Sequence, residues 1–365
     1  MSEWQTFCLK DLVKIFGGST PPTNNPKNYG NKIRWITAKD LSTLQGRYIK
    51  KGSRSISRLG FKSCSTFLLP KHAILFSVRA PIGYTAIISK RSCTDRGLMG
   101  LVPNKKIYFE FLYYLLKYHK DNISNMGVGT TFKGISKPAL GLFKVKIPPT
   151  YYEQQKIART LSILDQKIEN NHKINELLHT LAYKIYEYYF KYKPKNAKLE
   201  QIIIENPKSS IMVKNAQKTQ DKYPFFTSGD NTLSYPKAII DGRNCFLNTG
   251  GNAGIKFYVG KASYSTDTWC ICANEFSDYL YLLLSSIKNH INQSFFQGTS
   301  LKHLQKNLLK KYPIYMPSAH EIKKFNQIMI PLLSLISINT RTSKKLEQIR
   351  DFLLPLLLKQ QVKPQ

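Results

Sequence analysis

Few strings in this sequence have the residue types and spacing that catalysis requires. Methylation of DNA amino groups uses an Asn/Asp-Pro-Pro-aromatic motif, and the nearest string, Asn25-Pro26-Lys27-Asn28-Tyr29, lacks the second proline and the aromatic residue after it. Neither a GxxxxGK[ST] phosphate loop nor an HExxH metal motif occurs. The Glu153-Gln-Gln-Lys156 string is explained better as a helix cap than as part of a nuclease site. The sequence therefore predicts no catalytic residue and no metal site.

Charge is the strongest chemical feature of the chain. Its 365 residues contain 55 Lys+Arg and 22 Asp+Glu, a formal net charge of +33. A chain this basic usually binds a polyanion such as DNA, RNA or an anionic membrane. The six cysteines form no CxxC pair, the N-terminus does not resemble a signal peptide, and no apolar run approaches the ~20 residues of a membrane span. We therefore expect a cytoplasmic protein that binds nucleic acid and no membrane.

The charge is distributed unevenly. Residues 1–149 hold 25 Lys+Arg and 6 Asp+Glu, a net charge of +19, and residues 194–317 hold 15 and 8, a net charge of +7. Residues 150–193 and 318–365 carry only +2 and +5. The two more basic segments are thus the expected nucleic-acid-binding parts.

The chain repeats one plan twice. The string from Gly129, GTTFKGISKPALGLFKVKIPP, matches GTSLKHLQKNLLKKYPIYMP from Gly298, and FEFLYYLLKYHKDNI (109–123) matches SDYLYLLLSSIKNHI (277–291). Upstream, ILFSVRAPIG (74–83) resembles CFLNTGGNAG (245–254), and Asp95 resembles Asp267. Each copy begins with short alternating apolar runs typical of strands and contains one amphipathic helix, near 108–123 in the first copy. Each then continues into a long helix.

Both long helices open with a capping box, Thr150-x-x-Glu153 and Ser318-x-x-Glu321. Both carry a heptad stripe sustained over four heptads, which predicts a coiled coil. The residues expected to pack the helix pair are Ile157, Leu161, Leu164, Ile168, Asn171, Leu178, Leu332, Ile336, Asn339, Leu346 and Leu353.

Polar residues and prolines interrupt the two stripes. If the helices are antiparallel, Asn171 would face Asn339 and fix their register, although both could equally be solvated. Pro331 predicts a bend in the second helix, and Pro355 predicts fraying or a break.

Two basic domains in direct repeat, each followed by a long helix, resemble the specificity subunit of type I restriction-modification systems. The resemblance covers nearly the whole chain. It rests on the order of these strings: GGSTPPTNNPKNYGNKIRWITAKDL (17–41), ILFSVRAPIG (74–83), PPTYYEQQKIA (148–158), YPFFTSGDN (223–231) and LEQIRDFLLPLLL (346–358).

The resemblance implies an α+β fold with two α/β target recognition domains in direct repeat, separated by two long antiparallel coiled-coil helices. The expected divisions are recognition domain 1 at 1–149, a central helix at 150–193, recognition domain 2 at 194–317 and a C-terminal helix at 318–365. A helix of about 40 residues is roughly 60 Å long, so the pair could separate the two readers by at most about two turns of DNA.

The resemblance also implies a function without catalysis. Each recognition domain would read one half of a bipartite, asymmetric site in double-stranded DNA. The helices would dock two methyltransferase subunits, and restriction subunits would then join. The chain itself would need no cofactor, because S-adenosylmethionine, Mg and ATP would be bound by the partner subunits.

Base reading usually relies on Arg to guanine and Asn or Gln to adenine, while most contacts go to phosphate. The candidate DNA-binding residues are Arg34, Lys39, Arg79, Arg96 and Lys133 in the first domain, and Lys222, Asn248, Asn252, Lys256 and Lys302 in the second.

Three alternatives remain open at this point. A stand-alone DNA- or RNA-binding protein would bind tightly without partners and without a defined sequence. A divergent nuclease or fused methyltransferase would show turnover as a purified chain. The specificity component of another split-site restriction system would share all of these sequence features.

Overall fold

The computed structural model describes residues 3–128, 133–216 and 222–364. The chain forms two compact units, one made of Met1–Glu169 with Ile349–Gln365 and the other of Asn170–Gln348. Each unit therefore combines one α/β domain with a part of both long helices. The predicted domain boundaries at residues 149, 193 and 317 separate the sheet domains from the long helices. The two units are instead groups of residues in mutual contact, so the predicted boundaries stay a prediction.

The first repeat contains ten strands and six short helices within its described residues. The strands are β1 (Gln5–Cys8), β2 (Val13–Gly17), β3 (Tyr29–Ile36), β4 (Tyr48–Ile49), β5 (Arg54–Ile56), β6 (Ile74–Ser77), β7 (Thr85–Ile88), β8 (Cys93–Thr94), β9 (Leu98–Pro103) and β10 (Lys144–Ile147). The helices are α1 (Leu9–Leu12), α2 (Ala38–Ser42), α3 (Arg58–Lys62), α4 (Phe109–Tyr118), α5 (Lys120–Asn125) and α6 (Lys137–Leu142).

The first long helix and the second repeat follow. The long helix is α7 (Tyr151–Tyr186). The later strands are β11 (Ala197–Lys198), β12 (Ile204–Glu205), β13 (Tyr223–Phe226), β14 (Thr232–Tyr235), β15 (Arg243–Asn248), β16 (Ile255–Val259), β17 (Ser263–Tyr264), β18 (Thr268–Cys272), β19 (Phe296–Gln297), β20 (His303–Leu304) and β21 (Pro313–Ile314). The later helices are α8 (Ser277–Ser286), α9 (Lys288–Ser294), α10 (Lys306–Lys310) and the second long helix α11 (Ala319–Leu358).

The two repeats share their sheet topology. The first repeat has a sheet of order β2-β9-β6-β7-β4, and the second has β12-β18-β15-β16, which lacks only the β4 edge. A smaller sheet, β5-β3-β8, recurs as β14-β13-β17, with one antiparallel and one parallel pairing in each copy. The strand pair β1-β10 recurs as β11-β21. The repeat seen in the sequence is thus a repeat of structure.

One amphipathic helix covers the larger sheet in each repeat. α4 contacts β6 and β7, and α8 contacts β15 and β16. The side chains that α4 buries include Phe111, Leu112, Tyr114 and Leu115, each at most 1% exposed. Because all of β6 is also buried, the sheet and the helix form one core in each unit, as the apolar periodicity predicts.

The long helices begin where the sequence predicts. Thr150 Oγ1 accepts a hydrogen bond from Glu153 N–H at 3.2 Å. The second capping box is complete, because Ser318 Oγ accepts from Glu321 N–H at 3.3 Å while a Glu321 carboxylate oxygen accepts from Ser318 N–H at 2.9 Å. These hydrogen bonds, with that from Tyr315, hold the pKa of Glu321 at about 2. α7 ends in a π-helical turn at Glu187–Lys191.

Proline does not interrupt the second long helix. α11 runs from Ala319 to Leu358 and passes both prolines, and Lys359 N–H still donates to Pro355 O at 2.9 Å. The predicted fraying or break at Pro355 is therefore wrong. An internal proline costs a helix about 3 kcal/mol. Burial of neighbouring leucines such as Leu354 and Leu357, at about 1.5–3 kcal/mol each, offsets this cost.

Within the second unit the two long helices run antiparallel, but the asparagine pairing differs from the prediction. Asn171 Nδ2 donates to Ser343 Oγ at 3.2 Å, and Asn339 Nδ2 donates to Asn175 Oδ1 at 2.9 Å. The predicted contact between Asn171 and Asn339 is thus wrong by one helical turn. Both asparagines nevertheless form side-chain hydrogen bonds between the two helices and do not belong to a solvated face.

The residues predicted to pack the helix pair all lie on partly or fully covered faces. Ile157, Leu161, Ile168, Asn171, Leu332 and Ile336 are buried, and Leu164, Leu178, Asn339, Leu346 and Leu353 are half-buried. The repeated Gly-Thr step of the first copy, Gly129-Thr130, lies outside the described residues. None of the described helices combines the length and apolar composition of a membrane span.

Candidate nucleic-acid interface

Three loop segments of the first unit meet at one end of its larger sheet. Val78 N–H donates to Gly97 O at 2.9 Å, and Ile135 N–H donates to Val78 O at 2.9 Å. Arg79 and Gly134 form a β-bridge beside these bonds. The main chain thus brings together three exposed cationic residues that the sequence proposes as DNA contacts: Arg79, Arg96 and Lys133.

The end of β3 joins the same region. Asp95 N–H donates to Ile36 O at 2.9 Å, which ties β3 to the loop that carries Arg96. Arg34 is exposed on β3 because side chains alternate along a strand and its neighbour Trp35 faces the core. Lys39 is exposed on the short helix α2. The five first-domain candidates therefore lie on segments linked by direct main-chain hydrogen bonds.

Arg54 is a further exposed cation of the first domain, and sequence reasoning missed it. Its guanidinium lies 4.1 Å from the centroid of the Tyr29 ring and 6.0 Å from that of Trp35. β5 places it directly opposite Trp35 in the register with β3. A strand of three residues, Arg54–Ile56, gave little sequence signal, and only the strand pairing places it beside the strand that carries Arg34.

The second unit repeats this framework with different side chains. Leu304 N–H donates to Thr249 O at 3.0 Å, and Gly250 and His303 form the matching bridge. Gly250 therefore stands where the first unit has Arg79. Lys302 occupies the position of Lys133 and is exposed, as is Asn252 in the adjacent loop.

The hydrogen bonds also correct one detail of the repeat. Asp95 N–H donates to Ile36 O, and the matching bond of the second unit runs from Ser265 N–H to Phe226 O at 2.9 Å. The structural counterpart of Asp95 is thus Ser265, and the sequence match to Asp267 is wrong by two residues.

Two second-domain candidates are engaged inside the protein. Asn248 is 6% exposed and donates to Asn252 O at 3.1 Å. The ammonium group of Lys256 donates to Thr227 O at 2.7 Å and also to Gly229 O, and burial lowers the pKa of this lysine. Both side chains therefore hold neighbouring segments of the main chain together. In contrast, Lys222 is exposed, with its ammonium 5.4 Å from the centroid of the Tyr223 ring.

A buried ion network fixes the first domain to the long helices. Arg47, in the loop before β4, pairs with Glu110 of α4 and Glu169 of α7, both at 3.2 Å. Asp165 of α7 pairs with Arg350 of α11 at 2.6 Å. Burial opposes the charge on Arg47, but Tyr114, Glu169 and Glu110 outweigh it, so the pKa of Arg47 is raised.

In the second unit, different residues attach the sheet domain to α11. Arg243 of β15 donates to both carboxylate oxygens of Asp278 on α8, at 2.6 and 2.7 Å, and to Ser334 Oγ of α11 at 3.0 Å. Ser337 Oγ of α11 accepts from Val259 N–H at 3.1 Å. In both units, therefore, an arginine paired with a carboxylate links the sheet domain to a long helix, and in the second unit this link is the hydrogen bond from Arg243 to Ser334. The arginine of the first unit is visible in the sequence, because Arg350 interrupts the apolar stripe of α11.

Among residues 3–128, 133–216 and 222–364, no group of three His, Cys, Asp or Glu side chains is arranged to hold a metal ion. Each unit presents a surface of cations, amides and aromatic rings on a similar main-chain framework. Such a surface suits phosphate contact and base reading.

Two repeated sheet domains, each followed by a long helix, define a class of protein. Comparisons with known proteins identify that class. The model of the type I restriction modification DNA specificity domain matches residues 1–180 and 195–348. The chain therefore belongs to the family of type I restriction-modification specificity subunits. The predicted fold class, with two α/β recognition domains in direct repeat and two long helices, is confirmed.

Particular relatives agree with this assignment. The chain is 29% identical over 408 aligned positions to the specificity subunit of the type I restriction enzyme MjaIX of Methanocaldococcus jannaschii, covering 98% of this chain and 93% of that one. It is 26% identical over 177 positions to the HindI specificity subunit of Haemophilus influenzae, covering 46% and 37% of the two chains. The crystal structure of a type I S subunit from M. genitalium matches with a TM-score of 0.63 over 97% of this chain and 96% of that one; at 18% identity this likeness concerns the fold alone.

Proposed function

We propose that this chain supplies the DNA sequence specificity of a cytoplasmic type I restriction-modification complex and catalyses no reaction itself. Each unit would read one half of a bipartite site in double-stranded DNA. The observation that carries the proposal is that both units have the same main-chain hydrogen bonds between equivalent loops, whereas the side chains on these loops differ. Arg79 in the first unit is replaced by Gly250 in the second, so the two half-sites should differ in sequence.

The distribution of charge supports the same assignment. The segment 1–149 carries a net charge of +19, whereas 194–317 carries +7. Phosphate contacts supply most of the affinity for DNA and depend on salt, whereas contacts to base edges supply specificity. We assign phosphate or base contact to Arg34, Lys39, Arg79, Arg96, Lys133, Lys222, Asn252 and Lys302, and a loop-supporting role to Asn248 and Lys256.

Both long helices keep apolar side chains in solvent, and these support the docking of methyltransferase subunits. On α7, Ile174, Leu177 and Leu181 are 43%, 71% and 48% exposed. Their 3-4 spacing places them on one face of the helix. On α11, Ile328, Leu335 and Ile338 are 42–47% exposed. Two methyltransferase subunits would cover these faces, restriction subunits would join them, and S-adenosylmethionine, Mg and ATP would be bound by these partners.

The first test is a methylation map. The chain is expressed with the methyltransferase encoded beside it in a host that lacks other modification, and N6-methyladenine is located by single-molecule sequencing. We expect a split motif with two different halves that appears only when both proteins are present. A spacer of fixed length is expected, because the two rigid helices set it.

Two other outcomes would contradict the proposal. A complex of both proteins that methylates no motif would remove the role in sequence reading. Tight, sequence-independent DNA binding with no complex at all would favour a stand-alone binder.

Arg79→Ala is expected to weaken binding to the methylated motif by about 1–3 kcal/mol, the usual value of a specific base contact. Discrimination should be lost in one half-site and retained in the other. The measurement is fluorescence anisotropy at constant salt, with duplexes substituted in either half. Lys144→Ala, which removes an exposed cation of the same unit from β10, is the matched control. Equal weakening by the two variants would mean that Arg79 acts only through general charge.

A further inference from the structure

A large basic cavity lies within the second unit, and the candidate residues Lys222 and Lys256 are among those that line it. Its volume is about 960 Å³, within the range of about 300–1,000 Å³ usual for small-molecule sites. One wall is formed by β13, β14 and β16, and the opposite wall by α11 with one residue each from α7 and α8. Of the residues assigned to DNA contact, Lys222 alone lines this cavity.

Cations converge on the cavity without carboxylate partners. Arg341 and Lys345 are one turn apart on α11, and Lys261 faces them from the turn after β16. Within the described residues, none of these three forms an ion pair. Like charges spaced four residues apart destabilise a helix, so this arrangement costs stability unless an anion neutralises it. Asp230 is the one carboxylate among the described lining residues.

Arg341 is held in position before any ligand arrives. Its Nη1 donates to Val259 O at 2.7 Å and to Tyr258 Oη at 3.2 Å. A Cβ on Gly260, whose φ is +120°, would come within 3.1 Å of the same nitrogen. The glycine thus satisfies the turn and leaves room for the guanidinium. An arginine fixed at one nitrogen keeps its other donors available for a phosphate.

The same cavity offers aromatic surface. Tyr223, Phe257 and Tyr281 line it, and the last two rings stack on each other at 4.9 Å between centroids with an interplanar angle of 21°. Aromatic rings of this kind are stacking platforms for nucleobases, independent of base identity. Cationic groups and ring surfaces therefore line the same cavity.

We infer that this cavity binds a nucleotide, with the phosphate at Arg341, Lys345 and Lys261 and the base against the aromatic wall. The nucleotide could be free in solution or belong to bound DNA, since both present the same phosphate and ring. A simple acidic peptide would satisfy the cations but leave the aromatic wall unused.

Binding is measured by calorimetry on the full chain with ATP, inorganic pyrophosphate and adenosine. We expect ATP to bind more tightly than the other two. Lys261→Gln with Lys345→Gln should weaken it at least about tenfold, because each lost charge-assisted hydrogen bond to phosphate is worth about that factor. Lys323→Gln with Lys324→Gln removes two exposed charges from the same helix outside the cavity and should leave ATP binding unchanged. Thermal unfolding midpoints verify that both double variants fold.

A parallel measurement distinguishes the two sources. If ATP does not bind, but Lys261→Gln with Lys345→Gln reduces the salt dependence of DNA binding by about two ions, the nucleotide belongs to DNA. If ATP does not bind and the salt dependence is also unchanged, the inference is wrong. Equal affinity for adenosine and ATP would likewise contradict it. The wild-type methylation map tests the proposed function separately, because ATP binding to the purified chain does not require a methylated motif.

Discussion

Asp165→Ala is expected to lower the free energy of unfolding of the first unit by about 3–5 kcal/mol, the cost of breaking a buried ion pair from one side. The Asp165 side chain is only 5% exposed and accepts from Arg350 Nη1 and from Tyr114 Oη, both at 2.6 Å. Arg47 Nε lies 3.9 Å away. Without this carboxylate, Arg350 keeps only the exposed Asp351 as an ionic partner within the described residues.

The measurement must report on one unit at a time, because a chain of two units need not unfold in a single transition. Trp4 and Trp35 belong to the first unit and Trp269 to the second. In a Trp269→Phe background, tryptophan fluorescence during urea unfolding therefore reports on the first unit alone. The matched control is Lys167→Ala, which removes an exposed charge from the part of α7 that belongs to the first unit and should change stability by less than about 0.5 kcal/mol.

A double variant separates the loss of the pair from the loss of packing. Replacing both Asp165 and Arg350 by Leu removes the stranded charge, and replacing a buried pair by apolar residues is often neutral. We expect the double variant to recover at least half of the stability that Asp165→Ala loses. A loss below about 1 kcal/mol in the single variant, or no recovery in the double variant, would show that the network does not hold the domain to the helices.

The starts of the long helices were predictable because they depend on residue spacing within one helix. The register between α7 and α11 was not predictable, because it depends on how one helix is positioned along the other. The capping boxes at Thr150 and Ser318 give the helix starts because they depend on residues three apart. The pairing of Asn171 with Ser343 instead depends on how far α11 slides along α7. A slip of one turn keeps an apolar stripe on the same face, so the stripe alone cannot select it. Contacts such as Asp165 with Arg350 select the register, and they join residues far apart in the chain.

Some residues of the candidate interface were likewise predictable from the sequence, and others were not. Exposed cations on loops, such as Arg79 and Lys302, were predictable because the internal repeat marks equivalent loops. Asn248 and Lys256 have the right chemistry, but they lie on β15 and β16, where their side chains donate to nearby main-chain carbonyl groups. Arg54 was missed because its relation to Arg34 arises from the pairing of β5 with β3. Side-chain type predicts what a residue can bind, whereas the fold determines what it does bind.

Two adjacent leucines of α7 provide the sharpest test of partner docking. Leu177 is 71% exposed, whereas Leu178 is half-buried and packs against the core of the second unit. Leu177→Asp is expected to leave the chain folded and to weaken its complex with the methyltransferase by at least about 2 kcal/mol, the scale of an interface hot spot. Leu178→Asp should instead destabilise the second unit, because it buries a charge in an apolar environment.

The measurements are the thermal unfolding midpoint, co-purification with the methyltransferase, and the fraction of motifs methylated. Glu176→Lys, at an exposed position of α7 about 100° around the helix from Leu177, also changes the surface charge and should change none of the three. If Leu177→Asp and Glu176→Lys behave alike, the exposed leucine does not contact the partner. If Leu177→Asp lowers the unfolding midpoint as much as Leu178→Asp, its effect on assembly follows from folding rather than from docking. Because the two leucines are neighbours in the chain but face opposite environments, only their different exposure separates the two expected results.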